Sequence, residues 1–122
     1  MSNQNITLVY KWTAKPGKLD QLGAIYAKVT EVMKQNEPGA LAVHCYLSQA
    51  ENALFVRDEF ADADALGFHL SQTAAAHFPQ LLEIAIPGAF NFFGDVPEAL
   101  QQATKQMGLD AHFATHVYGF NR

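Results

Sequence analysis

The sequence predicts an α+β fold in the order β-α-β-β-α, with further helix and strand segments after it. Three observations predict this order. The apolar period changes from two residues to between three and four, and back to two, within the first 60 positions. Two turn signals, Pro16-Gly17 and Glu37-Pro38-Gly39, fall where the period changes. A polar linker at 48–52 then separates two strand-like runs at hairpin distance.

Each element follows from its own residues. Residues 6–13 are rich in β-branched and aromatic side chains, with Ile6, Leu8, Tyr10 and Trp12 on one face of a strand. From Lys18 to Asn36 the residues Leu19, Leu22, Ile25, Tyr26, Val29, Val32 and Met33 form a helical stripe, which Pro38-Gly39 stops. Residues 40–47 and 53–60 read as the two strands of the hairpin. Pairing of Ser48 with Ala53 places Leu41, Val43, Cys45, Leu47, Leu54, Val56, Asp58 and Phe60 on one face, expected to meet the helices. The other face carries Ala42, His44, Tyr46, Phe55, Arg57 and Glu59, with His44 opposite Arg57. Asp62 is a good N-cap for the second helical region. A proline inside a helix costs about 3 kcal/mol, so a break is expected near 71–78 with Pro79 in the first turn of a restarted helix. Ala89 to Phe93 reads as a short strand, Asp95-Val96-Pro97-Glu98 as a capping-box variant opening a helix that Gly108 ends, and Leu109 to Phe120 as the last strand.

Composition bounds the function. A chain of 122 residues is one domain, able to bury roughly two-thirds of its unfolded surface. Its 49% hydrophobic content is high enough that another subunit is expected to cover some apolar surface. Eight basic against 12 acidic residues, with no long block of either sign, argue against nucleic acid and anionic membrane as partners. A lone Cys45, no basic-then-apolar leader and no long apolar run make the cytoplasm the expected compartment.

With these residues laid out, the chain resembles the antibiotic biosynthesis monooxygenase family. The matching positions are Pro16-Gly17, Glu37-Pro38-Gly39-Ala40, Asp58-x-Phe60-x-Asp62, Ala65-Leu66, His69-Leu70 and His77-Phe78. The family pattern usually has Glu at the position of Asp58 and Trp or Tyr at that of Phe60, and fewer residues between His69 and His77. The resemblance implies a ferredoxin-like βαββαβ subunit with an antiparallel sheet, paired into a dimeric α+β barrel. Residues 1–122 would then be a single domain, with a core at about 6–94 and a helix-strand extension at about 95–122. It implies a homodimer through the face of His44, Tyr46, Phe55, Arg57 and Glu59, and a pocket between the sheet and its own helices.

Members of this family oxidise quinols or polycyclic phenols with dioxygen and no cofactor, and others degrade haem. A deprotonated phenol is itself a one-electron donor to oxygen, so the protein need only hold the ring, exclude water and accept a proton. The expected reading is therefore a cofactor-independent monooxygenase acting on a small aromatic, with His69 as the base and Asp58 beside it. An imidazole titrates near ~6.5 and serves either protonation role at neutral pH. Tyr10, Trp12, Phe60, His77 and Phe78 would line the substrate pocket. Haem-degrading members carry an Asn on strand one, a Trp on helix two and an axial His, where this chain has Tyr10, His69 and Leu82; no haem is expected.

Each residue also has a plain structural reading: His69 bonded to water or a strand carbonyl, Asp58 as a paired buried acceptor, the aromatics as core, Cys45 as inert packing. His112 and His116, placed on one strand, would stand about 13 Å apart, too far to share a metal ion. No phosphate-binding glycine loop is present. Two other functions fit the same fold: a non-catalytic binding or scaffold dimer, and isomerase or decarboxylase chemistry in the same cavity.

Overall fold

Strand β1, Ile6–Ala14, alternates between buried and half-buried residues without a slip, as its period-two pattern requires. It is the central strand of the sheet in the computed structural model, which describes residues 4–122. Helix α1, Leu19–Asn36, lays the predicted stripe on that sheet, burying all of it except the half-buried Val32. Strands β2, Ala40–Ser48, and β3, Ala53–Phe60, form the hairpin with Ser48 opposite Ala53 and His44 opposite Arg57 as expected, but a bulge between Ala40 and Ala42 sets Ala40 opposite Phe60 where the alternation called for Leu41. Asn52 takes the left-handed turn position at φ 53°.

Helix α2, Ala63–His69, starts where Asp62 accepts a hydrogen bond from the Ala65 N–H at 2.9 Å. Its continuation departs from expectation. In place of a break, a π turn over Leu70–Ala74 runs straight into helix α3, Ala75–Ile84, and Pro79 is the fifth residue of α3. The wide turn relaxes the backbone just before the proline. Ala75, whose carbonyl Pro79 cannot bond, is an exposed residue.

Strand β4, Ala85–Phe93, starts four residues before the expected Ala89. Pro87 is tolerated because the β1–β4 register shifts between Tyr10 and Trp12, next to its own pairing with Trp12. Helix α4, Glu98–Gln106, begins without the anticipated capping box. Pro97 is the N-cap and makes no side-chain cap bond, and its carbonyl accepts from Leu100 and Gln101 instead. Gly108, at φ 82°, ends α4 as predicted. Strand β5 covers only Ala111–Ala114, much less than 109–120. Ala114 pairs with Phe93, the last residue of β4, so the chain beyond has no strand to pair with, and His116 lies outside the sheet.

The sheet order is β2-β3-β1-β4-β5. Its first four strands are antiparallel and ferredoxin-like, so β4 takes the fourth-strand position. The sheet as a whole is mixed, because the α4 crossover returns the chain to lay β5 parallel to β4. All the helices but α4 belong to the core order, and the core lies between them and one sheet face. Edge strand β2 is only partly covered. Leu41 and Leu47 are about half exposed, and Cys45, expected to pack among apolar neighbours, is exposed. Among the described residues no helix is long and apolar enough to cross a membrane.

Candidate active site

The cavity forms where β1, α1, the π turn and β4 meet. On its sheet side Tyr10 stacks on Phe90 at 4.7 Å between ring centroids, and Trp12 meets Phe78 edge-on at 5.6 Å. On its helix side His69, Thr73 and His77 line it at intervals of four residues, with Leu70, Ala74 and Phe78 one position on. On a regular α-helix a spacing of four drifts by about 40° per step. The π turn takes up that drift and keeps both rows on the cavity.

Two polar groups bracket the space. In the first, the Trp12 indole N–H donates to the Tyr26 hydroxyl at 2.8 Å, Tyr26 donates to the Tyr10 hydroxyl at 3.1 Å, and Tyr10 donates to Asp58 Oδ2 at 3.3 Å. Burial, then the nearby Asp58 carboxylate, push the Tyr10 phenol well above its usual range, and burial does the same to Tyr26. Both remain neutral donors. Burial also lifts Asp58 to about 6, against the opposing pull of His69 and of the Tyr10 bond. In the second group, His69 Nδ1 lies 3.1 Å from Glu37 Oε2, and the Thr73 hydroxyl donates to the same oxygen. Glu37 and His69 are both buried. With Nδ1–H directed to the carboxylate, Nε2 is the nitrogen left to accept a proton whenever the ring is neutral. It has no hydrogen-bond partner among the described residues, and His69 is part of the cavity lining.

Five of the seven residues expected at the site line the cavity: Tyr10, Trp12, His69, His77 and Phe78. Asp58 and Phe60 do not. Asp58 sits behind the Tyr10 hydroxyl, and the Phe60 ring packs on the His69 ring at 5.1 Å. Their strand, β3, neighbours β1 on the side away from β4, so β1 screens them from the space. His77 is tied by Nδ1 to the Thr73 carbonyl at 2.9 Å.

Glu37 was read only as part of a helix stop. A carboxylate at a helix C-terminus opposes the helix dipole, and that local mismatch is the sequence signal that it has another partner. Tyr26 was legible only as a member of the α1 stripe, and Thr73 fell within the expected break at 71–78 and carried no signal. Met107 and Leu109, which close the cavity from the C-terminal extension, carried no signal at all. Among the described residues no three His, Cys, Asp or Glu side chains gather into a metal-binding group.

A ferredoxin-like sheet with a polar and aromatic cavity under its helices defines the class, a small α+β protein. The chain belongs to the antibiotic biosynthesis monooxygenase family, whose profile its residues 5–80 match. MupZ from Pseudomonas fluorescens superposes with a TM-score of 0.82 over 98% of this chain and 96% of its own, at 19% identity. SnoaB, a cofactor-independent oxygenase from Streptomyces nogalater, superposes at 0.64 over 77% of this chain and 95% of its own, at 17% identity. A conserved protein from Methanosarcina mazei Go1 gives 0.64 over 74% and 91%, at 21% identity. These likenesses concern the fold. A search of the curated proteins returns no match.

Proposed function

We propose that this protein is a cofactor-independent monooxygenase that oxidises a small phenol or quinol with dioxygen, working as a homodimer. The observation that carries the reading is the buried Glu37–His69 pair on the wall of an aromatic-lined cavity. His69 takes the phenolic proton, and Glu37 stabilises the imidazolium that forms. The phenolate then gives one electron to dioxygen, the resulting radicals combine at a ring carbon, and loss of water leaves a quinone. One oxygen atom enters the ring and the other departs as water, so no external reductant is consumed. The Tyr10 and Tyr26 hydroxyls spend their single protons along the chain that ends on Asp58, so Asp58 acts through Tyr10 as a positioning residue that holds the Tyr10 ring in the cavity wall. The SnoaB likeness and the family membership support the oxygenase class.

Oxygen uptake over the uncatalysed background, across single-ring and naphthalene-sized quinols without added flavin, metal or haem, tests this. His69→Ala should slow uptake by about 10²-fold or more. Glu37→Gln should slow it less and move the pH–rate profile, because the imidazolium loses its counter-charge. Cys45→Ala should match wild type. Equal rates for wild type and His69→Ala would remove His69 from the mechanism, and no excess over background would favour a binding protein.

A further inference from the structure

The cavity as it stands is too small for the ligand class its walls suit. It offers about 40 Å³ to water centres, against roughly 150 Å³ for a cavity that admits benzene. A ring enters only if a wall retreats. Most walls are unable to: Tyr10, Trp12 and Phe90 are buried side chains on paired strands, and His69 and Thr73 are anchored on Glu37. The half-buried lining residues are Ala74, His77 and Phe78 on the π turn and α3, and Met107 and Leu109 beyond α4. The mouth of the cavity therefore lies between these two groups. Of the two, His77 is tied to the Thr73 carbonyl and Phe78 packs on Trp12.

Met107 and Leu109 are different. They flank Gly108, whose left-handed φ of 82° turns the chain between α4 and β5, and they lie in the extension beyond the family match at 5–80. Met107 is unbranched and adapts its shape readily. Its side chain holds fewer heavy atoms than a benzene ring, so its retreat, added to the space already present, makes room for one ring and not for a fused second.

We propose that Met107 and Leu109 determine substrate specificity, Met107 as the wall that yields and the branched Leu109 as the stiffer neighbour that limits the opening, so that single-ring phenols or quinols are admitted and naphthalene-sized ones rejected. This rests on reading the cavity as an aromatic-ring site, and it names the size class that site takes. The single tryptophan, Trp12, lines the cavity and reports occupancy directly. Quenching of its fluorescence by phenol and by 1-naphthol gives two dissociation constants for the full-length protein without any turnover. Wild type should bind phenol and discriminate against 1-naphthol. Met107→Ala with Leu109→Ala should shift the ratio of the two constants at least tenfold toward 1-naphthol. Met107→Phe, which fills the space, should weaken phenol binding at least tenfold. A ratio that moves less than twofold in variants with wild-type circular dichroism, or no Trp12 response to either probe, would overturn the proposal. Selective binding with the predicted shifts but no oxygen uptake would sink the oxygenase reading and leave this one standing.

Discussion

Asp58 shows how a single residue couples stability to the site. Its carboxyl is buried, with Oδ1 unpartnered among the described residues and Oδ2 held only by the long bond from Tyr10. Between pH 3.8 and about 6 the native protein keeps the Asp58 proton while the unfolded chain releases it. Stability from this group is therefore complete below about pH 4 and lost as pH rises through about 6, by about 3 kcal/mol at 1.36 kcal/mol per pH unit. Asp58→Asn should remove that dependence and keep an acceptor for Tyr10. Urea midpoints taken from pH 4 to pH 7 should show the variant gaining on wild type across this window. A constant difference would mean that Asp58 is not the group that titrates. The same residue marks a limit of sequence reading: alternation put Asp58 on the helix-facing side, but not behind Tyr10.

At the scale of elements, the Glu37-Pro38-Gly39 linker does more than end α1. A methyl group at Gly39 would lie 2.5 Å from the Ala65 Cβ on α2, so the absence of a side chain lets α2 approach the linker closely. That approach also sets Glu37 against His69. Gly39→Ala should cost about 1–3 kcal/mol by overpacking and disturb the Glu37–His69 pair. Adding Ala65→Gly restores the space, so the double variant should be less destabilised than the sum of the single ones, as thermal melting will show. Strict additivity would show that the contact does not control the docking of α2. The π turn is the second such device. Its existence was not legible, because the proline penalty is local while the π turn is held by burial of Leu70 and Thr73 against the sheet side.

At the scale of the molecule, the sheet face away from the helices asks for a partner. His44, Tyr46 and Arg57 are exposed there and Phe55 and Glu59 are half-buried, while the strand register brings Ile86 and Phe93 onto the same side, 60% and 45% exposed. Such a face, apolar at its ends and charged in the middle, suits a second copy of itself through the proposed homodimer. Sedimentation at low micromolar concentration should give twice the chain mass, and Tyr46→Glu should shift the population toward the monomer. A stable, folded wild-type monomer under those conditions would exclude this face.

The first three strands, the α1 stripe, the hairpin register from Ala42 to Ser48 and the Asp62 cap were determined by the sequence, because each depends on period or turn chemistry within a few residues. Tyr10 and Trp12 were legible for the same reason, sharing one face of the first strand, whereas His69 was legible only through the family resemblance and the titration range of an imidazole. Other features were decided by tertiary structure alone. Glu37 and His69 are 32 positions apart and meet only because α2 docks on the linker. Met107 reaches the cavity only because α4 crosses to the far edge of the sheet, and β5 ends at Ala114 because β4 has no further residue to pair with it. Contacts of this kind depend on where whole elements stop and pack, which no local pattern of side chains encodes.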